Sequence, residues 1–242
     1  ELRQARRDIQ MVFQDPYESL NPLMHVGEIV GEPLLVHGLA RDPAERSARV
    51  RSALEAAGLR PVDTYINRLP HELSGGQRQR VAVAAALVLE PKVLLADEPV
   101  SMLDVSIRAE ILNLLAELKQ ERGISILFIT HDLGTVAAVA DRIAVMYLGR
   151  IVEIGSVQQV LRYPQHPYTK ALLSVVPVPN PRLRRQRIVL QGETPDPTRL
   201  PPGCRFAPRC PLAQTACREV DPQLRPPADD QGTAHQAACI LV

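Results

Sequence analysis

The chain has 242 residues, 45% of them hydrophobic, which is enough for one α/β domain of ordinary size plus a small appendage and excludes a disordered polypeptide. Its 28 Lys and Arg against 27 Asp and Glu leave a formal charge of +1, so no basic excess argues for non-specific binding to nucleic acid or to an anionic membrane. The longest uninterrupted apolar stretch, VAVAAALVL at 81–89, is about half of what crosses a bilayer, and any membrane role must be peripheral. The chain opens at Glu1, inside a run that reads as the middle of a domain, which predicts that the natural N-terminus lies further upstream.

In chain order, IQMVF (9–13) reads as a short apolar strand. AERSARVRSALEAAGL (44–59) carries apolar residues at helical spacing and ends near Gly58, a common helix terminator. QRQRVAVAAALVLE (77–90) and IRAEILNLLAELKQERG (107–123) repeat that pattern, while KVLLA (92–96), SILFI (125–129) and RIAVMY (142–147) read as further strands. Strands alternating with helices predict a parallel sheet covered on both faces, and the helix-rich stretch from about 26 to 90 predicts an inserted helical subdomain. Twelve of the 22 prolines fall within 176–242, and all four cysteines lie between 204 and 239. The expected division is therefore a main domain over 1–175 and a Pro-rich, irregular extension over 176–242.

Two strings carry chemistry. VLLADE (93–98) puts two carboxylates at the carboxyl end of an apolar strand, the edge where open α/β sheets bind ligands. Asp97 is then placed to hold Mg²⁺, a hard cation that takes oxygen ligands, and Glu98 to polarise an attacking water. LSGGQRQR (73–80) supplies a Ser74 cap ahead of a helix, with Gly75 and Gly76 letting backbone N–H groups approach an anion at the helix's positive end. Three more polar residues fall in order around these strings: Gln14 after the first strand, Asp104 in SMLD, and His131 after SILFIT. Each has an ordinary reading alone, as a turn residue, a helix cap and a satisfied strand-end group, but their joint order favours function.

Together these residues resemble the ATP-binding cassette ATPases, the nucleotide-hydrolysing subunits of ABC transporters. The resemblance implies a P-loop NTPase-like α/β core with a helical subdomain. It implies that Gln14 senses Mg²⁺, water and the permease. Ser74, Gly75, Gly76 and Gln77 would form the signature facing the γ-phosphate of ATP held by the opposite subunit. Asp97 would be the Mg²⁺ aspartate, Glu98 the catalytic base, Asp104 an interface aspartate and His131 a γ-phosphate contact. FQDPYESLNP (13–22), ADEPVSMLDVSIRAEILNLL (96–115), HPYTKALL (166–173) and GCRFAPRCPLAQTAC (203–217) are similar to the peptide and nickel uptake branch of importers. The partners so implied are a second ATPase subunit, transmembrane permease subunits and, indirectly, a solute-binding protein, with no nucleic acid and a place on the cytoplasmic face of the cell membrane. A non-catalytic ATPase-like partner that lends its signature is the alternative. A DNA-maintenance ATPase fits less well, because the short span from Gln77 to Val93 has no room for the long coiled coil such proteins insert.

No G-x-x-x-x-G-K-[ST] occurs, and none of the three lysines, Lys92, Lys119 and Lys170, follows a glycine. In the resembling family that phosphate-cradling Walker A loop lies upstream of the Gln14 loop, so the expectation is an N-terminally truncated cassette, inactive by itself. Cys204, Cys210, Cys217 and Cys239 cluster in an otherwise cysteine-free chain, which suggests a shared metal or cluster. Four thiolates suit zinc or iron–sulfur, and members of the resembling branch hold a [4Fe-4S] cluster, which favours that over zinc. His235, nearby, reads as a solvated loop residue. PRLRRQR (181–187) is a basic run whose default reading is a solvated connector.

Overall fold

The computed structural model describes residues 1–176, 186–227 and 234–242, so most of the basic run, 181–185, lies outside the described residues. The chain forms two compact units, Glu1–His131 and Asp132–Val242. No helix among the described residues is long and apolar enough to cross a membrane.

The first unit is built on a three-stranded parallel sheet in the order β1 (Ile9–Val12), β2 (Val93–Asp97), β3 (Ser125–Ile129). β2 is central, and its Leu94 and Ala96 are fully buried. Two short helices flank β1: α1 (Leu2–Asp8) before it and α2 (Pro16–Ser19) after it. α3 (Val26–His37), α4 (Pro43–Ala56) and α5 (Gly75–Leu87) follow, and α6 (Val105–Arg122) connects β2 to β3. α5 is the hub of the unit, packing against α2, α3, α4, α6 and β1. It can do so because Val81, Val83, Ala84, Ala86 and Leu87 are all buried.

Local chemistry sets the helix ends. Asp42 accepts from the Glu45 N–H at 3.0 Å and Pro43 occupies the first turn of α4. Asp104 caps α6, and Gly123 ends it in the left-handed region at φ 65°. Only one face of the sheet is covered. Ile9, Met11, Leu127 and Ile129 remain 38–57% exposed, and strand register puts them on the same face as Leu95 and Asp97. The expected covering of both faces is therefore not met among the described residues.

RIAVMY does not join the parallel sheet. In the second unit it is β4 (Arg142–Tyr147), paired antiparallel with β5 (Arg150–Ser156), which pairs in turn with β6 (Gln236–Ala237). The connection is the two-residue turn Leu148–Gly149, at φ 46° and 74°, whose left-handed backbone matches strand twist and closes a hairpin. α7 (Leu133–Val139) precedes this sheet, and α8 (Val157–Arg162) and α9 (Pro167–Ser174) follow β5. Phe206, 1% exposed, seals the core edge-on to Tyr147 with ring centroids 5.2 Å apart.

Glu153 organises the polar centre of this unit. It is fully buried and accepts from the N–H groups of Gln165 at 2.8 Å and His166 at 2.9 Å, and from His235 Nε2 at 2.8 Å. A buried carboxylate is tolerated only when so many donors replace water. His235 is thus a buried partner of Glu153, not the solvated loop residue expected. His166 caps α9 by accepting the Tyr168 N–H at 3.1 Å. Burial lowers the His166 pKa to about 4, and the nearby Glu153 only partly opposes this.

The consequence is a stability loss in acid. The unfolded chain binds a proton on His166 below about pH 6.5 and the folded unit refuses it until about pH 4. Unfolding free energy should therefore fall by about 3 kcal/mol as pH drops through that window, then level off. Urea denaturation of wild type and His166→Asn across the window checks this. The variant keeps a capping acceptor and should lose most of the slope; an unchanged slope contradicts the assignment.

Candidate active site

Glu98 stands immediately after β2. Its backbone is in the left-handed region at φ 43°, costly for a residue with a Cβ, and it is pinned there by its N–H donating to the Ile129 carbonyl at 2.9 Å. The Ser101 hydroxyl donates to the Glu98 carbonyl at 3.0 Å and fixes the turn from the other side. The carboxylate is held at both oxygens. Gln14 Nε2 donates to Oε2 at 3.2 Å and His131 Nδ1 lies 3.0 Å from Oε1, across 84 and 33 residues of chain.

Where the Glu98 carboxylate accepts this bond, His131 Nδ1 is the donor. The His131 side chain is 73% exposed against 24% for Glu98, which leaves the far edge of the ring open to a ligand. Asp97, the last residue of β2, turns its carboxylate onto the open face of the sheet, and no hydrogen bond or ion pair engages it among the described residues. It fits a Mg²⁺ ligand, since that ion takes one or two carboxylates and fills its remaining positions with water and phosphate oxygens.

The signature segment forms a second group of residues. Ser74 caps α5: its Oγ accepts from the Gln77 N–H at 3.3 Å while Gln77 Oε1 accepts from the Ser74 N–H at 3.0 Å. The Gln77 side chain is therefore occupied in the cap. Gly76 is required by packing, because a Cβ there would meet Ile107 of α6 at 2.4 Å. At Gly75 a Cβ would lie 3.6 Å from the Tyr17 hydroxyl. Asp104 accepts from the Ile107 N–H at 3.1 Å and the Ser106 hydroxyl at 2.7 Å, and these bonds, the backbone one foremost, hold its carboxyl below the usual range.

The structure thus joins Gln14, Glu98 and His131 directly, sets Asp97 one residue before Glu98 at the end of β2, and places Ser74 to Gln77 and Asp104 at the starts of α5 and α6. Sequence reasoning missed Tyr17 and Arg78, whose guanidinium sits 4.0 Å over the Tyr17 ring. The available signal was Asp15–Pro16 ahead of Tyr17, a helix start that Asp15 caps by accepting the Tyr17 N–H at 2.6 Å.

The four cysteines do come together, lining a cavity of about 20 Å³ with His166, Phe206 and Leu241, room for little more than one water. Among the described residues, however, no group of three or more His, Cys, Asp or Glu is placed to hold a metal ion. Burial raises the Cys204 and Cys210 thiols away from the thiolate form that a metal requires. The Cys217 and Cys239 sulfurs accept from the Gln214 and Leu241 N–H groups at 3.4 and 3.5 Å. The expected [4Fe-4S] or zinc site is corrected accordingly: these thiols pack the second unit.

Two family models match the chain: "ABC transporter" over residues 1–101 and "Oligopeptide/dipeptide transporter, C-terminal region" over residues 152–217. The chain is 51% identical over 240 residues to a putative peptide import ATP-binding protein of Brucella ovis, covering 99% of this chain and 74% of that protein. It is 47% identical over 244 residues to the oligopeptide transport ATP-binding protein OppF of Salmonella typhimurium, covering 100% and 71%. Among solved structures it is similar to cbiO1 of Clostridium perfringens, part of the ABC transporter complex cbiONQ, with a TM-score of 0.59, 36% identity, and coverage of 65% of this chain and 61% of that one. It is also similar to the dimeric ATP-binding cassette MJ0796 bound to ADP and Pi, with a TM-score of 0.57, 35% identity, and coverage of 64% and 66%. The chain spans just under two thirds of each of those structures.

The first match begins at residue 1. That overturns the expectation of an N-terminally truncated cassette lacking its Walker A region, both as a fold class and as the ground for an inactive chain. G-x-x-x-x-G-K-[ST] describes one loop, whereas the match takes in β1, the Gln14 segment, α2 to α5 and the carboxylate strand together. Where the chain begins decides nothing about its activity.

Removing the cap should be measurable. Ser74→Ala loses both the acceptor for Gln77 and the closed box, and should cost about 1 kcal/mol in urea unfolding, while Ser74→Asn should cost only a few tenths. Equal stability of Ser74→Ala and wild type would contradict the capping role.

Proposed function

We propose, from the premise that this chain belongs to the ABC transporter family, that it is the ATP-binding and ATP-hydrolysing subunit of an importer for peptides or a related solute. It works at the cytoplasmic face of the cell membrane as a peripheral subunit. Its partners are a second ATPase subunit, membrane-embedded permease subunits and, through them, a solute-binding protein. The names of the peptide-import relatives and the C-terminal match support the peptide branch over DNA maintenance.

The carrying observation is the Glu98 carboxylate, gripped at one oxygen by Gln14 and at the other by His131. Glu98 is the general base: its strained, pinned backbone presents a carboxylate whose direction is fixed before a water arrives. Gln14 holds that orientation from β1 and can pass its donor to the water. His131 faces the carboxylate with Nδ1, and its exposed far edge places Nε2 to reach a terminal phosphate oxygen, so the ring can bridge base and phosphate.

Asp97 would hold Mg²⁺, which would supply charge neutralisation on the phosphates. The Ser74 to Gln77 segment turns the positive end of α5 toward the terminal phosphate of nucleotide carried by the opposite subunit, and Asp104 lies at the interface between the two. Closure on ATP and reopening after hydrolysis would drive the permease through contacts that differ between the two states.

In the transporter assembled with this subunit, Glu98→Gln should lower kcat for MgATP by about 10²- to 10⁴-fold while nucleotide still binds. A steady-state phosphate-release assay together with nucleotide retention checks both. Turnover equal to wild type contradicts the role of Glu98.

A further inference from the structure

Outside the groups already assigned, one contact joins the two halves of the site within a single chain. Tyr17 lies in α2, three residues after Gln14, and the residue is 58% exposed. The inner side of the Tyr17 ring is covered by Arg78, with its guanidinium carbon 4.0 Å from the ring centre. Arg78 belongs to the first turn and a half of α5, the helix that Ser74 caps, and its Nε donates to the Pro70 carbonyl at 2.7 Å. One side chain therefore ties down both the turn before the signature and the start of the signature helix. A Cβ on Gly75, the first residue of that helix, would lie 3.6 Å from the Tyr17 hydroxyl, so the tip of the side chain lies beside the helix start.

α2 has only four residues, fixed by the Asp15 cap and by Pro16. A segment that short, closed at its start, moves with the residues that precede it. If Gln14 leaves Glu98 for water or nucleotide, the contacts on that path run from α2 through the Tyr17 ring and Arg78 to the start of α5.

We infer that Tyr17 and Arg78 are a positioning pair that sets the start of the signature helix according to where Gln14 is engaged. The chain's own base and the half-site it offers to the opposite subunit's nucleotide are thereby registered to each other. The inference rests on the function proposed above. Neither residue touches the reacting atoms.

The test uses the assembled transporter and MgATP. A displaced signature meets the phosphate only in the closed state, so Tyr17→Leu should lower kcat about fivefold with KM for ATP within about twofold. Tyr17→Phe, which keeps the ring face, should restore kcat, and Arg78→Gln should reproduce the loss. The double variant Tyr17→Leu/Arg78→Gln should be no worse than either single one, because both remove the same contact. Thermal unfolding of each variant separates misfolding from misplacement, and the exposure of Tyr17 makes Tyr17→Leu tolerable; should it still unfold, Arg78→Gln against Tyr17→Phe carries the comparison. An unchanged kcat in stable variants, failure of Tyr17→Phe to restore it, or losses that multiply in the double variant would overturn the pair. Failure of the underlying function is seen separately, as wild-type turnover that does not depend on Glu98.

Discussion

The first unit depends on one arrangement: a carboxylate set on a strained backbone and bound at both oxygens by groups from two other strand ends. Gln14 follows β1, Glu98 follows β2 and His131 follows β3, so the three neighbouring parallel strands each contribute one member at their carboxyl edge. The parallel register makes this possible, because it brings all three strand ends to the same edge. The left-handed φ at Glu98 then has a physical meaning. It turns the side chain back between its two neighbours, and the bond from its N–H to Ile129 offsets the cost.

The same logic of a buried acceptor with imported donors recurs in the second unit at Glu153, with a different outcome. There the carboxylate is sealed off from solvent, its donors are two backbone N–H groups and a buried histidine, and the His166 pKa is driven down. Glu98 keeps partial access to solvent and its histidine is largely exposed. Burial thus distinguishes a fastening from a site that can exchange its partners for a ligand.

Much of the first unit was legible. IQMVF, KVLLA and SILFI stood out because strands of a parallel sheet are short apolar runs, and α4, α5 and α6 because their caps and terminal glycines are local features. RIAVMY looks like those strands, and nothing local says that it pairs antiparallel. The turn that decides it places Leu148, a poor turn former, at positive φ. Nothing local marks Glu153, since its partners lie 12 to 82 residues away. The cysteines converge as their clustering suggested, but spacing carries no information about cavity size or sulfur hydrogen bonds. The site residues were found through their order along the chain. Tyr17 and Arg78 were not, because stacking between a loop-side ring and a helix-side cation has no sequence spacing of its own.

The central claim is that Gln14, Glu98 and His131 of one subunit and the Ser74 turn of another close on a single terminal phosphate. The most direct measurement is the structure of the Glu98→Gln transporter with MgATP bound. His131 Nε2 of one subunit, and the Ser74 hydroxyl and the N–H of Gly76 of the other, should lie within about 3 Å of the same phosphate group. Nucleotide bound with the Ser74 turn facing solvent, or with His131 directed away from the phosphate, would contradict it.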